Sequence, residues 1–269
     1  MYKILVIILL FIPLFSYGEW STHRFSLGLG YTYHDTTIQV GKKSLGAFIL
    51  STEDTLGLDD TQSSVRLSYE WRFSKNKKHS LTTGRYRQHR SARRVLDQDI
   101  KYVDKDNNEV IISAGTSVDT LLNFDIIRLA YSYSFFLDER INISTGVGFY
   151  IMPLEFAIGE TGKTQTQSDF IAPLPTFQLK SEVKITPKWT LSNEFNIFYI
   201  QIGDYTGSII ATNLFIDYQF YKRFSVGLGF EAFKLKVDME ETSDVFDAEV
   251  GGELNFGNNS LVARVRYEL

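Results

Sequence analysis

Beyond its first eighteen residues, the chain alternates apolar and polar side chains with a period of two, segment after segment. In "RFSLGLGYTYHD", Phe25, Leu27, Leu29, Tyr31 and Tyr33 share one face, while Ser26, Gly28, Gly30, Thr32 and His34 share the other. "SVRLSYEWRF" repeats the pattern, with Val65, Leu67, Tyr69, Trp71 and Phe73 set against Ser64, Arg66, Ser68, Glu70 and Arg72. Successive side chains of a strand point to opposite faces, so strict alternation predicts strands and excludes amphipathic helices. The same signal recurs in "IIRLAYSYSF", "INISTGVGFYI", "FQLKSEVKI", "WTLSNEFNIFY", "ATNLFIDYQF", "FSVGLGFEAF" and "LVARVRYEL", and no segment reads as a helix.

Ten strands are expected, at roughly 24–40, 61–73, 79–94, 118–136, 141–158, 171–185, 189–202, 209–220, 224–238 and 250–269, with eight or twelve as alternatives. "DAEVGGELNFGNN" leaves room for an eleventh, but an odd count strands one terminus on the wrong side, so a long last strand with a bulge near Gly257 is preferred. Short polar turns fall at 74–79, 137–140, 186–188 and 221–223, and longer segments at 41–60, 98–118, 159–170 and 239–250. The connector at 203–208 is short where a long one is due. Brief turns on one edge and longer loops on the other are the habit of outer-membrane barrels.

The N-terminus supplies the compartment. "MYK" is followed by the apolar run "ILVIILLFIPLFS", and "SYG" places small residues before Glu19. This predicts a signal peptide at 1–18, cleaved, and one barrel domain at 19–269; an uncleaved anchor is the alternative. Cysteine is absent, which removes disulfides, thiolate metal sites and a cysteine nucleophile. A net charge of -4 gives no reason to expect a nucleic-acid partner.

The two faces decide the environment. One carries aromatics beside the short turns: Trp71, Phe73, Tyr133, Phe135, Trp189, Tyr218, Phe220, Phe224 and Tyr267. The other is rich in Gly and Ser and carries both signs of charge: Arg66, Glu70, Arg72, Arg128, Lys180, Glu182, Lys184, Glu194, Asp217, Glu231, Arg264, Arg266 and Glu268. A soluble barrel would turn its apolar face inward and this charged face to water, and a secreted soluble β-protein is the competing reading. An aromatic girdle flanking an apolar band is instead the dress of an all-β, antiparallel, up-and-down barrel in lipid. So narrow a barrel is expected to be filled by its charged side chains as an ion-paired plug.

Candidate chemistry is sparse. His34-Asp35 high on the first strand and Asp59-Asp60 in the first outer loop offer a rim site for hydrolysis of peptide or lipid A, against a plain solvated rim. Among other motifs, G-x-S-x-G, H-E-x-x-H and metal-ligand spacings are absent. The run "RYRQHRSARR" sets Arg85, Arg87, Arg90, Arg93 and Arg94 on the upper third strand, where lipopolysaccharide phosphates lie, and a bulge or cover is expected where Arg85 and Arg87 interrupt the apolar face. The acidic segments "STEDTLGLDD" and "DMEETSDVFDAE" are brought together by closure and could share a divalent cation, though a solvated rim fits better. "AIGETGKT", Ala157 to Thr164, imitates a phosphate-binding loop, but no helix follows it. It reads as a loop tip in which Gly159 and Gly162 permit the turn, "QTQSDFIAPLP" after it being polar and proline-broken, and no nucleotide is expected.

An ordered set of phrases, "EDTLGLDD" (53–60), "RVLDQDI" (94–100), "AGTSVDT" (114–120), "RLAYSYSF" (128–135), "APLP" (172–175), "TPKW" (186–189), "DYTGS" (204–208) and "VGLGF" (226–230), resembles a family of uncharacterised Gram-negative outer-membrane β-barrel proteins. The resemblance spans nearly all of the expected mature chain. It implies the fold and an outer-membrane address, and no activity or catalytic residue; separately, outer-membrane lipid, lipopolysaccharide and the barrel assembly machinery are the expected partners, and no cofactor is expected. The chain departs from it in ending on Leu269, with Tyr267 two positions earlier, and in its arginine-rich third strand. Three functional readings remain: a non-enzymatic barrel acting in envelope structure or surface interaction, a narrow passive pore, and a rim hydrolase.

Overall fold

The computed structural model describes residues 19–40, 48–103, 109–162, 166–202, 205–239 and 252–269. Thirteen strands form: β1 (His23–Val40), β2 (Phe48–Ser51), β3 (Thr61–Arg72), β4 (His79–Val95), β5 (Ile100–Val103), β6 (Glu109–Ile112), β7 (Ser117–Leu137), β8 (Ile141–Glu160), β9 (Thr166–Lys184), β10 (Trp189–Ile202), β11 (Tyr205–Tyr221), β12 (Phe224–Met239) and β13 (Gly252–Glu268). Ten of them make the wall in the order β1-β3-β4-β7-β8-β9-β10-β11-β12-β13, every pair antiparallel, and β13 closes onto β1. The other three belong to outer connections: β2 pairs with the top of β1, and β5 with β6 forms a separate hairpin. The expected signal peptide at 1–18 lies outside the described residues.

Register fixes the shape. Paired residues traced around the wall run His23, Trp71, Leu81, Tyr131, Val147, Phe177, Ile197, Ile210, Lys234, Gly257 and Asp35, so one circuit climbs from residue 23 to residue 35 of β1. For ten strands, a shear of about twelve residues sets a tilt of about 40° and a wall radius of roughly 10 Å. Each residue along a strand then gains about 2.5 Å of height.

The short turns and both ends of the wall, at His23 and Glu268, lie at one rim, the periplasmic one by the usual asymmetry of membrane barrels. Trp71, Phe73, Tyr133, Phe135, Trp189, Phe220 and Phe224 are exposed there, and Trp189 with Tyr218 and Phe224 with Tyr267 pack at 4.8 Å between ring centroids. Above them the outward side chains are bare and apolar; on β1 alone Phe25, Leu27, Leu29, Tyr31 and Tyr33 are exposed in succession. These five span about 20 Å of height, near the ~25 Å apolar band of a barrel in lipid.

Several local expectations are corrected. β9 starts at Thr166, earlier than the expected 171, and keeps Pro173 and Pro175 within the strand, so much of the expected loop 159–170 is strand. Ala157 to Glu160 belong to β8, with Gly159 paired to Asp119 in the ladder, and only Gly162 takes a left-handed φ of 83°. Lys163 and Thr164 lie outside the described residues. The ladders of β13 run unbroken through Gly257; register shifts occur instead at Ser134/Phe136 and Gln219/Tyr221. β4 pairs with β7 without a bulge at Arg85 and Arg87.

Pairing is incomplete in the upper wall. β3 and β4 are laddered only from Arg72↔Ser80 to Arg66↔Tyr86, and β9 and β10 only from Lys184↔Thr190 to Phe177↔Ile197. Above these rows the wall is two sheets, β4-β7-β8-β9 facing β10-β11-β12-β13-β1-β3. Pro173 and Pro175 sit on the parted edge of β9, where residues without an N–H leave no stray donor.

Candidate functional site

The interior has two storeys. In the lower, Arg24 is the hub: its Nη1 donates to Glu70 Oε2 at 2.9 Å and also to Glu182, and its Nε donates to Glu268 Oε1 at 2.8 Å. Arg72 Nη2 reaches Glu182 Oε2 at 2.5 Å, and Lys180 Nζ reaches Glu70 Oε1 at 2.6 Å. Asp217 accepts from Arg264 at 2.7 Å and pairs with Arg266 at 2.9 Å. One level higher Arg66 pairs with Glu231 and donates to Ser260 Oγ at 2.7 Å, and Arg128 meets Glu194 at 2.5 Å. Lys184 stacks its ammonium 4.2 Å from the Trp20 ring. All thirteen charged residues expected inside are thus on the inner face, and most of them pair with one another. Burial of so many charges is tolerated because each carboxylate meets a cation and hydrogen-bond donors.

Two inward residues escaped the sequence reading. Arg24 shares the parity of Ser26 and Gly28, the polar face, so its direction was available there. Trp20 was not: residues 19–22 have no alternation. The segment crosses the periplasmic mouth, with Trp20 buried, its Nε1 donating to the Asp138 carbonyl at 2.6 Å and Arg72 Nη1 donating to the Ser21 carbonyl at 3.3 Å. Thr22 N–H donates to the Leu269 carbonyl at 2.7 Å, tying the strap to the end of β13.

Between the storeys lies a cavity of about 180 Å³ whose wall includes Arg66, Tyr86, Arg128, Tyr150, Glu194 and Glu231. Arg66 stands 4.2 Å over the Tyr86 ring, and Arg128 Nε and Nη2 have no hydrogen-bond partner among the described residues.

The upper storey is apolar. Leu122, Phe124, Ile126, Tyr150, Met152 and Leu174 from one sheet meet Ile209, Phe233, Leu235, Val237 and Phe256 from the other. Phe124 and Phe256 approach to 4.5 Å, and Tyr150 and Phe233 meet edge-on at 5.5 Å. Outside, the same strands now carry Arg87, His89, Asp119, Asn123, Asp125 and Lys234. The faces have therefore exchanged roles: below, apolar side chains face lipid and charges face the lumen; above, the wall is built like a soluble sandwich.

The first outer connection folds down onto this core. Leu58 is buried in it, and Leu56 packs with Leu96, Ile100, Ile112, Val118 and Ile158. Glu53 fixes the fold by accepting from the Thr36 N–H at 3.1 Å and from Arg90 Nη2 at 2.6 Å, while Arg90 Nε holds the Asp59 carbonyl at 3.0 Å.

The arginine run is divided by parity. Arg85, Arg87 and Arg93 point outward, bound to Asp125 and Asp119 on β7. Arg90 points inward and is buried on Glu53, out of reach of any lipid, which corrects the expectation of an outer contact there. Arg94 also leaves the outer face; its guanidinium bonds the Asp54 carbonyl and Asp97. Asp119, beyond the apolar band, is held below the usual carboxylate range by hydrogen bonds from Arg93.

The rim residues do not assemble into a catalytic group. His34 is 0% exposed, with its ring inside the dome 6.3 Å from Phe256. Asp35 points to the opposite face, and the Asp59 and Asp60 side chains are exposed. Neither ring nitrogen of His34 has a hydrogen-bond partner among the described residues. Burial first, then the charges of Arg90 and Arg66, hold its imidazole down at about 4 against the opposing pull of Asp60. The second acidic segment, 238–249, lies outside the described residues from 240 on, so the shared-cation idea has no partner to place.

No protein-family model matches the sequence, and no curated protein matches it. Solved structures do. The outer-membrane protease OmpT of Escherichia coli superposes with a TM-score of 0.54 at 8% identity, over 92% of this chain and 96% of OmpT. The toluene transporter TbuX of Ralstonia pickettii matches with a TM-score of 0.38 at 8% identity over 93% and 90% of the two chains. The attachment invasion locus protein Ail of Yersinia pestis matches at 0.36 and 8% identity over 93% and 100%. The fold is that of Gram-negative outer-membrane barrels. A likeness at 8% identity shows the fold alone and assigns no activity.

Proposed function

We propose that this protein is a non-conducting, non-enzymatic outer-membrane barrel whose role is in envelope structure or in interactions made by its outer surface. The observation that carries the reading is the double closure of the lumen: the Arg24–Glu70–Glu182–Arg72 lattice below and the Phe124–Phe256 core with Leu58 above. A radius of roughly 10 Å leaves little beyond what these side chains fill. The buried ring of His34, without a hydrogen-bond partner among the described residues, supports the non-enzymatic part, because a substrate at the rim meets Asp59 and Asp60 without it.

Planar-bilayer recording tests the closure. Refolded protein is expected to give no conductance steps above background, and resolved single-channel steps would establish a pore. That second reading is favoured by one feature only, the cavity of about 180 Å³ midway along the lumen. Location has its own test: heat-modifiable gel mobility together with recovery in the outer-membrane fraction is expected, and recovery in the soluble periplasm overturns the reading.

A further inference from the structure

The outer wall of β4 breaks the apolar band. Leu81 and Thr83 face outward near the base, but the next two outward residues are Arg85 and Arg87, 54% and 67% exposed. They stand about 15 and 20 Å above His79, so both lie in the upper half of the ~25 Å band, with Arg87 nearer its edge. An arginine facing lipid is costly at mid-depth and cheap only near the interface with a counter-charge. Asp125 of β7 supplies one: its Oδ2 accepts from Arg85 Nη2 at 2.7 Å and Arg87 Nη2 at 2.9 Å, and its Oδ1 from Arg87 Nε at 3.0 Å. Two guanidiniums on one carboxylate leave one positive charge, with most of their N–H donors still turned outward.

Directly beneath Arg85, on the same wall, runs an apolar groove. Phe25, Leu27, Leu67, Tyr69, Val265 and Tyr267 flank it, small Thr83 lies at its edge, and Arg85 closes its upper end. A cationic pair in the upper half of the band, above an apolar channel, is complementary to a phosphate joined to an acyl chain. Arginine meets phosphate through paired N–H donors, which a bare surface charge does not offer.

We propose, resting on the outer-membrane reading above, that the outer wall of β4, with β3, β1 and β13 beside it, holds one acylated, phosphate-bearing lipid of the outer leaflet, of the lipid A class, with a phosphate on Arg85 and Arg87 and a chain in the groove below. Arg90 and Arg94, turned away from the wall, take no part. Arg93, eight residues above Arg85 and closed onto Asp119, lies too high to share that phosphate.

The test is native mass spectrometry of the refolded barrel after exchange into detergent with bisphosphorylated lipid A, with dephosphorylated lipid A, or with inorganic phosphate added as competitor. Wild type is expected to retain one lipid A and no dephosphorylated lipid, and phosphate alone is expected not to displace it. Arg85→Gln/Arg87→Gln should lower retention at least tenfold. Thr83→Trp, which fills the groove and keeps the arginines, should do the same; Arg93→Gln should not. Equal retention by the double variant, equal retention of dephosphorylated lipid, displacement by phosphate alone, or an equal loss in Arg93→Gln each overturns the proposal. Heat-modifiable mobility of every variant reports folding, and its absence from wild type overturns the barrel reading itself rather than the lipid site.

Discussion

Glu182 is wholly buried between the guanidiniums of Arg24 and Arg72. Glu182→Gln keeps the shape and removes the charge, leaving buried cations under-compensated, so the unfolding midpoint in urea should fall by an amount equivalent to about 3–5 kcal/mol. Gly30 shows how closely the lattice is fitted: a Cβ there would stand 2.3 Å from Arg66 Nε. Gly30→Ala should therefore dislodge Arg66 from Glu231 and cost about 1–3 kcal/mol in the same assay. His34 predicts a pH dependence. Its imidazole stays neutral in the folded dome down to about 4, whereas the unfolded chain takes up the proton below about 6.5. Stability should then fall as pH drops from 6.5 toward 4 and level off below, losing on the order of 3 kcal/mol. His34→Leu should flatten that slope, and an unchanged slope would point to other groups. At this scale the sequence was readable wherever parity was clean, as for the charges of β3, β9 and β13. It was least readable in "RYRQHRSARR", where arginines occupy both parities: the odd ones face out and the even ones face in.

Strands were the most legible elements, because a two-residue period survives in every one of them and their ends fall at polar turns. The start of β9 is less legible, because 166–169 is polar and two prolines follow; a proline only needs a side of the strand on which no N–H is wanted, and the parted edge of β9 provides it. That edge is testable. Amides of β10 above Ile197 and of β4 above Tyr86 that point toward the missing partner should exchange with deuterium faster than those of Phe195 or Thr82, which lie in complete ladders. Equal protection would mean that the wall is laddered to its top.

The exchange of faces halfway up the molecule was the largest feature left unread, though its trace is present. In "FDIIRL" the apolar parity slips by one: Phe124 and Ile126 face inward, Ile127 and Leu129 outward. "FEAFKLKV" slips in the same way between Phe230 and Phe233. β7 and β12 therefore each carry two alternating patterns out of phase, one fitted to lipid outside and charge inside, the other to water outside and hydrocarbon inside. A single assignment of faces along a whole strand hides the junction.

The parted seams give the two storeys different kinds of cohesion. The lower ring is closed by backbone hydrogen bonds that have no alternative partner in hydrocarbon, so opening it is costly under any aqueous condition. The two sheets above are held to each other chiefly by rings and aliphatic side chains, an attraction that denaturant weakens directly. The molecule should accordingly melt in two steps. Moderate urea should let the sheets spread like a pair of jaws, admit a hydrophobic dye between Phe124 and Phe256, and leave the heat-resistant band on a gel untouched.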